Sequence, residues 1–168
     1  MPRILVAYVS KTGSTKAAAE EIQRVLAQKN FDAEVRPMSE VTSLAGYDGV
    51  VLGAPVNAMK WLPEAVEFTT SHKTELQKVP VAYFLLSYLL FEGRGAAKSA
   101  AEKCLTTVQQ SVPAITTGMF PGKIEKPMPL IMRLIFGVKS GRPLDITDMP
   151  HVTAWASDVA GMFRSRIR

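Results

Sequence analysis

A chain of 168 residues and 18.3 kDa has room for about one domain. With 47% hydrophobic and 21% charged residues it can bury a core, which excludes intrinsic disorder. Its longest apolar runs, residues 4–9 and 81–86, fall far short of the ~20 residues of a membrane span, and the first is shorter than a signal-peptide core, so a cytoplasmic protein is expected. The single Cys104 and the two histidines exclude an internal disulfide and a multi-thiolate metal site. The net charge of +5 is unevenly spread: residues 1–110 carry 12 basic and 11 acidic side chains, whereas residues 111–168 carry 8 and 4.

Residues 4–9 form a near-continuous run rich in β-branched side chains, as expected of a parallel strand buried on both faces. The period changes after residues 10–14. Ala18, Ile22, Val25 and Leu26 then fall at i, i+4, i+7 and i+8 opposite Lys16, Glu20, Gln23 and Arg24, which predicts an amphipathic helix. A second strand is expected over 32–36, a third over 50–52 up to Gly53, a short helix after Pro63, and a fourth strand over 79–87. Ala97, Ala100, Ala101, Cys104, Leu105 and Val108 predict the next helix with Cys104 on its core side; residues 112–116 read as a fifth strand, and a last helix starts near Pro150. Strands alternating with helices imply right-handed βαβ crossovers and a parallel sheet.

The sharpest chemical signal is Ser10-Lys11-Thr12-Gly13-Ser14-Thr15, hydroxyls and a glycine set where a helix begins. Unpaired N–H groups at that point bind phosphate, although a plain N-cap uses the same residue types. A Walker loop needs Lys after its last glycine, and here Ser14 follows Gly13, so an NTPase is not expected. Gly93-Arg94-Gly95 begins like a dinucleotide fingerprint but follows the wrong strand and reads as a helix start. In a sheet of order 2-1-3-4-5, ligands bind at the carboxyl ends of the strands beside the switch point, so the loop at 10–15, the loop at 53–61 and the loop at 87–93 converge there. Trp61, Tyr88 and Phe91 lie in these loops and offer flat faces to a planar ring, or else anchor the core. Phosphate cradle plus aromatics points to FMN.

At these residues the chain resembles the flavodoxin family. Residues 10–15 look like its S/T-x-T-G-x-T phosphate loop, and the likeness continues through the loops at 53 and 87. Within that family it is most similar to the menaquinone-dependent protoporphyrinogen oxidases, with Gly53-Ala54-Pro55-Val56 opening the second loop and a basic, partly apolar insertion near the C-terminus. It departs from them at Asn57 and Ala58, where those proteins carry Arg and an aromatic, and its pI of 9.4 departs from the acidic face of electron-carrier flavodoxins. The resemblance implies an α/β three-layer sandwich with a five-stranded parallel sheet. It also implies non-covalent FMN held by Ser10, Lys11, Thr12, Gly13, Ser14 and Thr15 at the phosphate. Pro55, Val56, Asn57, Ala58, Ser87, Tyr88, Leu89 and Gly93 would lie at the ring, with Trp61 a neighbour. A quinone or a redox partner protein would exchange electrons, a homodimer is one option, and no nucleic-acid partner is expected.

Residues 119–145 break the alternation. They hold four prolines, the apolar piece 130–136, and Lys123, Lys126, Arg133, Lys139 and Arg142 against Glu125 and Asp145. Three readings stand open: a cover packed on the domain, a protein-docking or dimer patch, and a contact with an anionic membrane surface. Three functions stand open as well: a quinone-linked oxidoreductase, an electron carrier, and a flavin-free binding module on the same fold. Cys104 reads as an inert buried thiol, and Glu20, Glu21, Glu64 and Glu67 as solvated helix faces.

Overall fold

The structure is a computed structural model that describes residues 1–57, 60–87, 90, 95–124, 129–136, 144–145 and 147–167. Its elements are β1 (Arg3–Tyr8), α1 (Ser14–Gln28), β2 (Asp32–Pro37), a 3-10 turn (Met38–Glu40), β3 (Gly49–Asn57), β4 (Lys60–Trp61), α2 (Pro63–Ser71) and α3 (Lys73–Leu76). There follow β5 (Val81–Leu86), α4 (Gly95–Ser111), β6 (Thr116–Phe120), β7 (Lys123–Ile124), α5 (Leu130–Phe136), β8 (Leu144–Asp145) and α6 (Met149–Arg166).

Five parallel strands run β2-β1-β3-β5-β6, the expected 2-1-3-4-5 order, and β4 adds an antiparallel pair to β3. The order reverses between β1 and β3, which pair from Ile4↔Gly49 to Tyr8↔Gly53. Alternate residues feed two cores. Ile4, Val6, Val51, Phe84 and Phe120 pack with α1 and α6 on one face; Leu5, Leu52, Tyr83 and Leu85 pack with α2 and α4 on the other. The strands are therefore apolar at consecutive positions, as a sheet covered on both sides requires.

Gly53 shows how tightly the first face is filled. A Cβ there would lie 1.9 Å from Cζ of Phe84, whose ring also neighbours Trp155 at 6.2 Å between centroids. Only a residue without a side chain leaves room for the tip of that ring at β3.

Two expectations are corrected. The fifth strand lies at Thr116–Phe120 rather than 112–116. Val112 is consumed by the end of α4, its N–H bonded to Val108 O at 2.8 Å, and its carbonyl accepts from the Tyr83 hydroxyl at 2.9 Å. Strand pairing resumes only after Pro113, when the Ile115 N–H reaches Val81 O. The third strand does not end at Gly53 but runs on to Asn57 and folds back as β4, so Pro55, Val56 and Asn57 are strand residues.

The outer strand β2 is only half-buried. It presents Asp32, Glu34 and Arg36 beside β1 and ends in Pro37. Glu34 accepts from the Tyr47 hydroxyl at 2.6 Å and pairs with Arg36 and Arg3. The Tyr47 hydrogen bond, then that from Arg36, holds the Glu34 carboxyl below its usual range.

Candidate functional site

The site is built where β1 hands over to α1. The Val9 N–H bonds to Gly53 O at 2.9 Å, fixing the start of the loop to β3. The Gly13 N–H bonds to Ser10 Oγ at 3.1 Å and closes the loop on itself. Gly13 sits at φ 89°, a left-handed conformation that costs a glycine little, and the space where its Cβ would lie is open. No side chain caps α1 at Gly13, and the helix ladder starts with Ala17 N–H on Gly13 O at 3.0 Å. The first-turn amides ahead of Ala17 therefore lack helical acceptors and point out of the helix end. Thr12 Oγ1 and Ser14 Oγ stand 3.1 Å apart at that same opening.

This donor set fits a phosphate monoester: orphan amides at the positive end of a helix, two adjacent hydroxyls, and no side chain filling the space at Gly13. The loop residues are not equivalent. Ser10 and Thr12 are half-buried and Gly13 exposed, whereas Ser14 and Thr15 are 7% and 1% exposed. Lys11 pairs with α2, its Nζ 3.0 Å from Glu64 Oε1. Glu64 lies on a solvated face, as its sequence position implies, and its own backbone N–H, then Lys11, holds its carboxyl below the usual range. That pairing across 53 residues carries no local sequence signal.

Of the residues expected at a ring, Pro55 and Val56 are half-buried and Asn57 is exposed, all on the last stretch of β3. Ser87 is 8% exposed and leaves β5 with its N–H on Phe120 O at 3.0 Å. Trp61 is 2% exposed: its indole N–H donates to Ala54 O at 3.1 Å, and its ring meets Tyr83 edge-on at 5.7 Å. It is seated in the α2/α4 core, so its flat face is already covered. Ala58, Tyr88, Leu89 and Gly93 lie outside the described residues, as does Phe91.

A separate depression of about 750 Å³ borders the loop on its β2 side, walled by Tyr8, Val9, Met38, Phe68 and His72. It touches Ser10 and Gly13 but none of residues 55–57, 61 or 87, so it is not the space between the loops that leave β1, β3 and β5. His72 stacks on Phe68 at 4.3 Å and lies with Nδ1 3.1 Å from Phe68 O at the end of α2, which is a helix-end role. Burial pushes the Cys104 thiol up, away from the reactive thiolate, in keeping with its place on the core side of α4.

The model of a flavodoxin domain matches residues 5–135 of the chain, from within β1 through the loop at 10–15 and on past β6. The chain belongs to the flavodoxin-domain family. Solved structures agree on the fold. A flavodoxin from the domain Archaea is 17% identical with a TM-score of 0.63, covering 96% of this chain and 99% of that one. Oxidised Flavodoxin 1 from Bacillus cereus is 15% identical with a TM-score of 0.60, covering 99% of each chain. Rubredoxin oxygen:oxidoreductase from Desulfovibrio gigas, 13% identical with a TM-score of 0.60, matches 97% of this chain over 36% of its own. No curated protein sequence matches. Flavodoxins bind FMN and carry electrons to redox partners, and in this flavodoxin domain the loop after β1 has the donor set that an FMN phosphate needs.

Proposed function

We propose that the chain is an FMN-dependent oxidoreductase of the quinone-linked protoporphyrinogen oxidase type, in which a small reduced substrate gives up electrons that pass on to a quinone. The observation that carries FMN binding is the open, amide-rich end of α1 at Gly13. Charge-assisted hydrogen bonds contribute about 1.5–3 kcal/mol each, so a few of them retain a dianionic phosphate. FMN, when bound, supplies the redox chemistry; the protein supplies position and electrostatics. Thr12 and Ser14 would bond the phosphate, Ser10 would hold the turn by accepting from Gly13, and Pro55 to Ala58 with Ser87 to Leu89 and Gly93 would border the ring. Trp61 would act through β3, bracing the Ala54 carbonyl from behind.

The enzyme reading is favoured over the carrier by charge. A pI of 9.4 and the basic segment near the C-terminus differ from the acidic face by which carrier flavodoxins dock. The carrier remains the second reading because the family itself includes electron carriers. Titrating FMN into protein stripped of flavin, with flavin fluorescence as readout, should show stoichiometric binding that a Thr12→Ala/Ser14→Ala variant weakens by at least about tenfold. Failure to take up FMN would leave the flavin-free binding module. With FMN loaded, oxidation of protoporphyrinogen by a quinone without any partner protein marks the enzyme; turnover only in the presence of a partner protein marks the carrier.

A further inference from the structure

Among the described residues the leucines and isoleucines outside α5 are buried or partly buried, but α5 turns its own outward. Leu130, Ile131, Leu134 and Ile135 are 66%, 67%, 69% and 62% exposed. At 100° per residue these positions fall within an arc of about 140°, so they form one continuous stripe. Arg133 lies off that stripe and is half-buried. In sequence the helix is set in a segment where Lys123, Lys126, Arg133, Lys139 and Arg142 meet a single acid, Glu125, before Asp145. A seven-residue helix is about 10 Å long and cannot cross a bilayer, and no described helix is long and apolar enough to do so. A short aliphatic stripe set in a basic stretch of sequence suits the plane between headgroups and acyl chains.

We infer that α5 docks the molecule on an anionic lipid surface, its four aliphatic side chains entering the headgroup boundary while the basic excess that the sequence carries after residue 110 supplies the attraction to lipid phosphates. Charge decides between lipid and the other cover for such a stripe, a second copy of the chain. Each copy carries a net +5 with its excess concentrated after residue 110, so pairing two α5 faces brings like charges together, whereas an anionic bilayer neutralises them. The root of the segment is fixed against the candidate site. β6 ends at Phe120, whose carbonyl accepts from the Ser87 N–H, and a Cβ on Gly122 would lie 3.1 Å from Leu86 Cβ. Docking therefore starts from the end of the sheet at which the loop after β5 begins. The inference does not depend on which molecule accepts electrons.

Flotation of the full FMN-loaded chain with vesicles tests it. The protein should float with vesicles of phosphatidylcholine and phosphatidylglycerol at about 0.05 M NaCl, stay down with phosphatidylcholine alone, and lose most binding at about 0.5 M. An Ile131→Asp/Leu134→Asp variant should lower the partition coefficient by at least about tenfold while FMN stoichiometry and Tm hold. Leu134→Ser, a milder change at an exposed position, should weaken flotation in the same direction. Absence of flotation with phosphatidylglycerol vesicles at low salt overturns the inference, as does undiminished binding by both variants. Sedimentation without lipid that shows a dimer broken by the same variants, with no flotation, assigns the stripe to a second copy instead.

Discussion

The β1–α1 corner and α5 are made from the same kinds of aliphatic residue and treat them in opposite ways. At the corner, Ile4, Val6, Ile22 and Leu26 are fully buried between a strand and a helix that face each other. On α5, four leucines and isoleucines at comparable helical spacing stay more than 60% exposed. An amphipathic pattern thus tells that a face needs a cover, and not what supplies it. Within the sheet the cover is the next crossover or, on the α1 side, α6; over the α5 stripe none of the described residues supplies one. Charge follows the same division, nearly balanced over residues 1–110 and in excess by four after them.

The contrast can be broken most directly at single side chains. Phe84→Ala should lower unfolding free energy by about 3–5 kcal/mol in urea titration, since the ring is fully buried between Phe120, Trp155 and Gly53. Leu134→Ala should change it by less than about 0.5 kcal/mol. Equal losses would mean that α5 packs on the domain after all. Gly53→Ala should cost about 1–3 kcal/mol by overpacking, and combining it with Phe84→Leu should recover part of the loss, a double-mutant cycle that localises the strain. Tyr83→Phe should cost about 1–2 kcal/mol, because it strands the Val112 carbonyl that Tyr83 satisfies inside the α2/α4 core.

The smallest expected effect is electrostatic. Glu34 is held below its usual range by Tyr47 and Arg36, and Glu21 by Arg24 and Thr153, so both stay ionised in the folded state where the unfolded chain begins to take up protons, near pH 4.5. Their stabilisation is present above that pH and is lost as pH falls through the folded values. Stability should therefore be level from pH 8 to 5 and decline below, and Glu34→Gln should flatten the decline by about 0.5 kcal/mol or less, as suits a partly exposed group.

The sheet was legible because strands covered on both faces announce themselves as unbroken apolar runs, and α1 because its stripe keeps a helical period. The loop at 10–15 was legible as local chemistry, since its glycine and hydroxyls act within a few residues of one another. Features that depend on contacts across the chain were not. Val112 looks like strand but is claimed by a helix end and by Tyr83. Trp61 reads as a ring neighbour, and the partner it has in the structure is Ala54 O; Lys11 reads as a phosphate ligand, and its partner in the structure is Glu64. In each case the residue type is readable and the partner is not.

The outer strand β2 has one further consequence. Its open edge carries carboxylates and a guanidinium already engaged with one another, and it stops at a proline that has no amide hydrogen to give. A stray extended peptide meeting that border would have to displace settled ions and would run out of donors within a few residues, so the sheet resists growth into fibrils from this side.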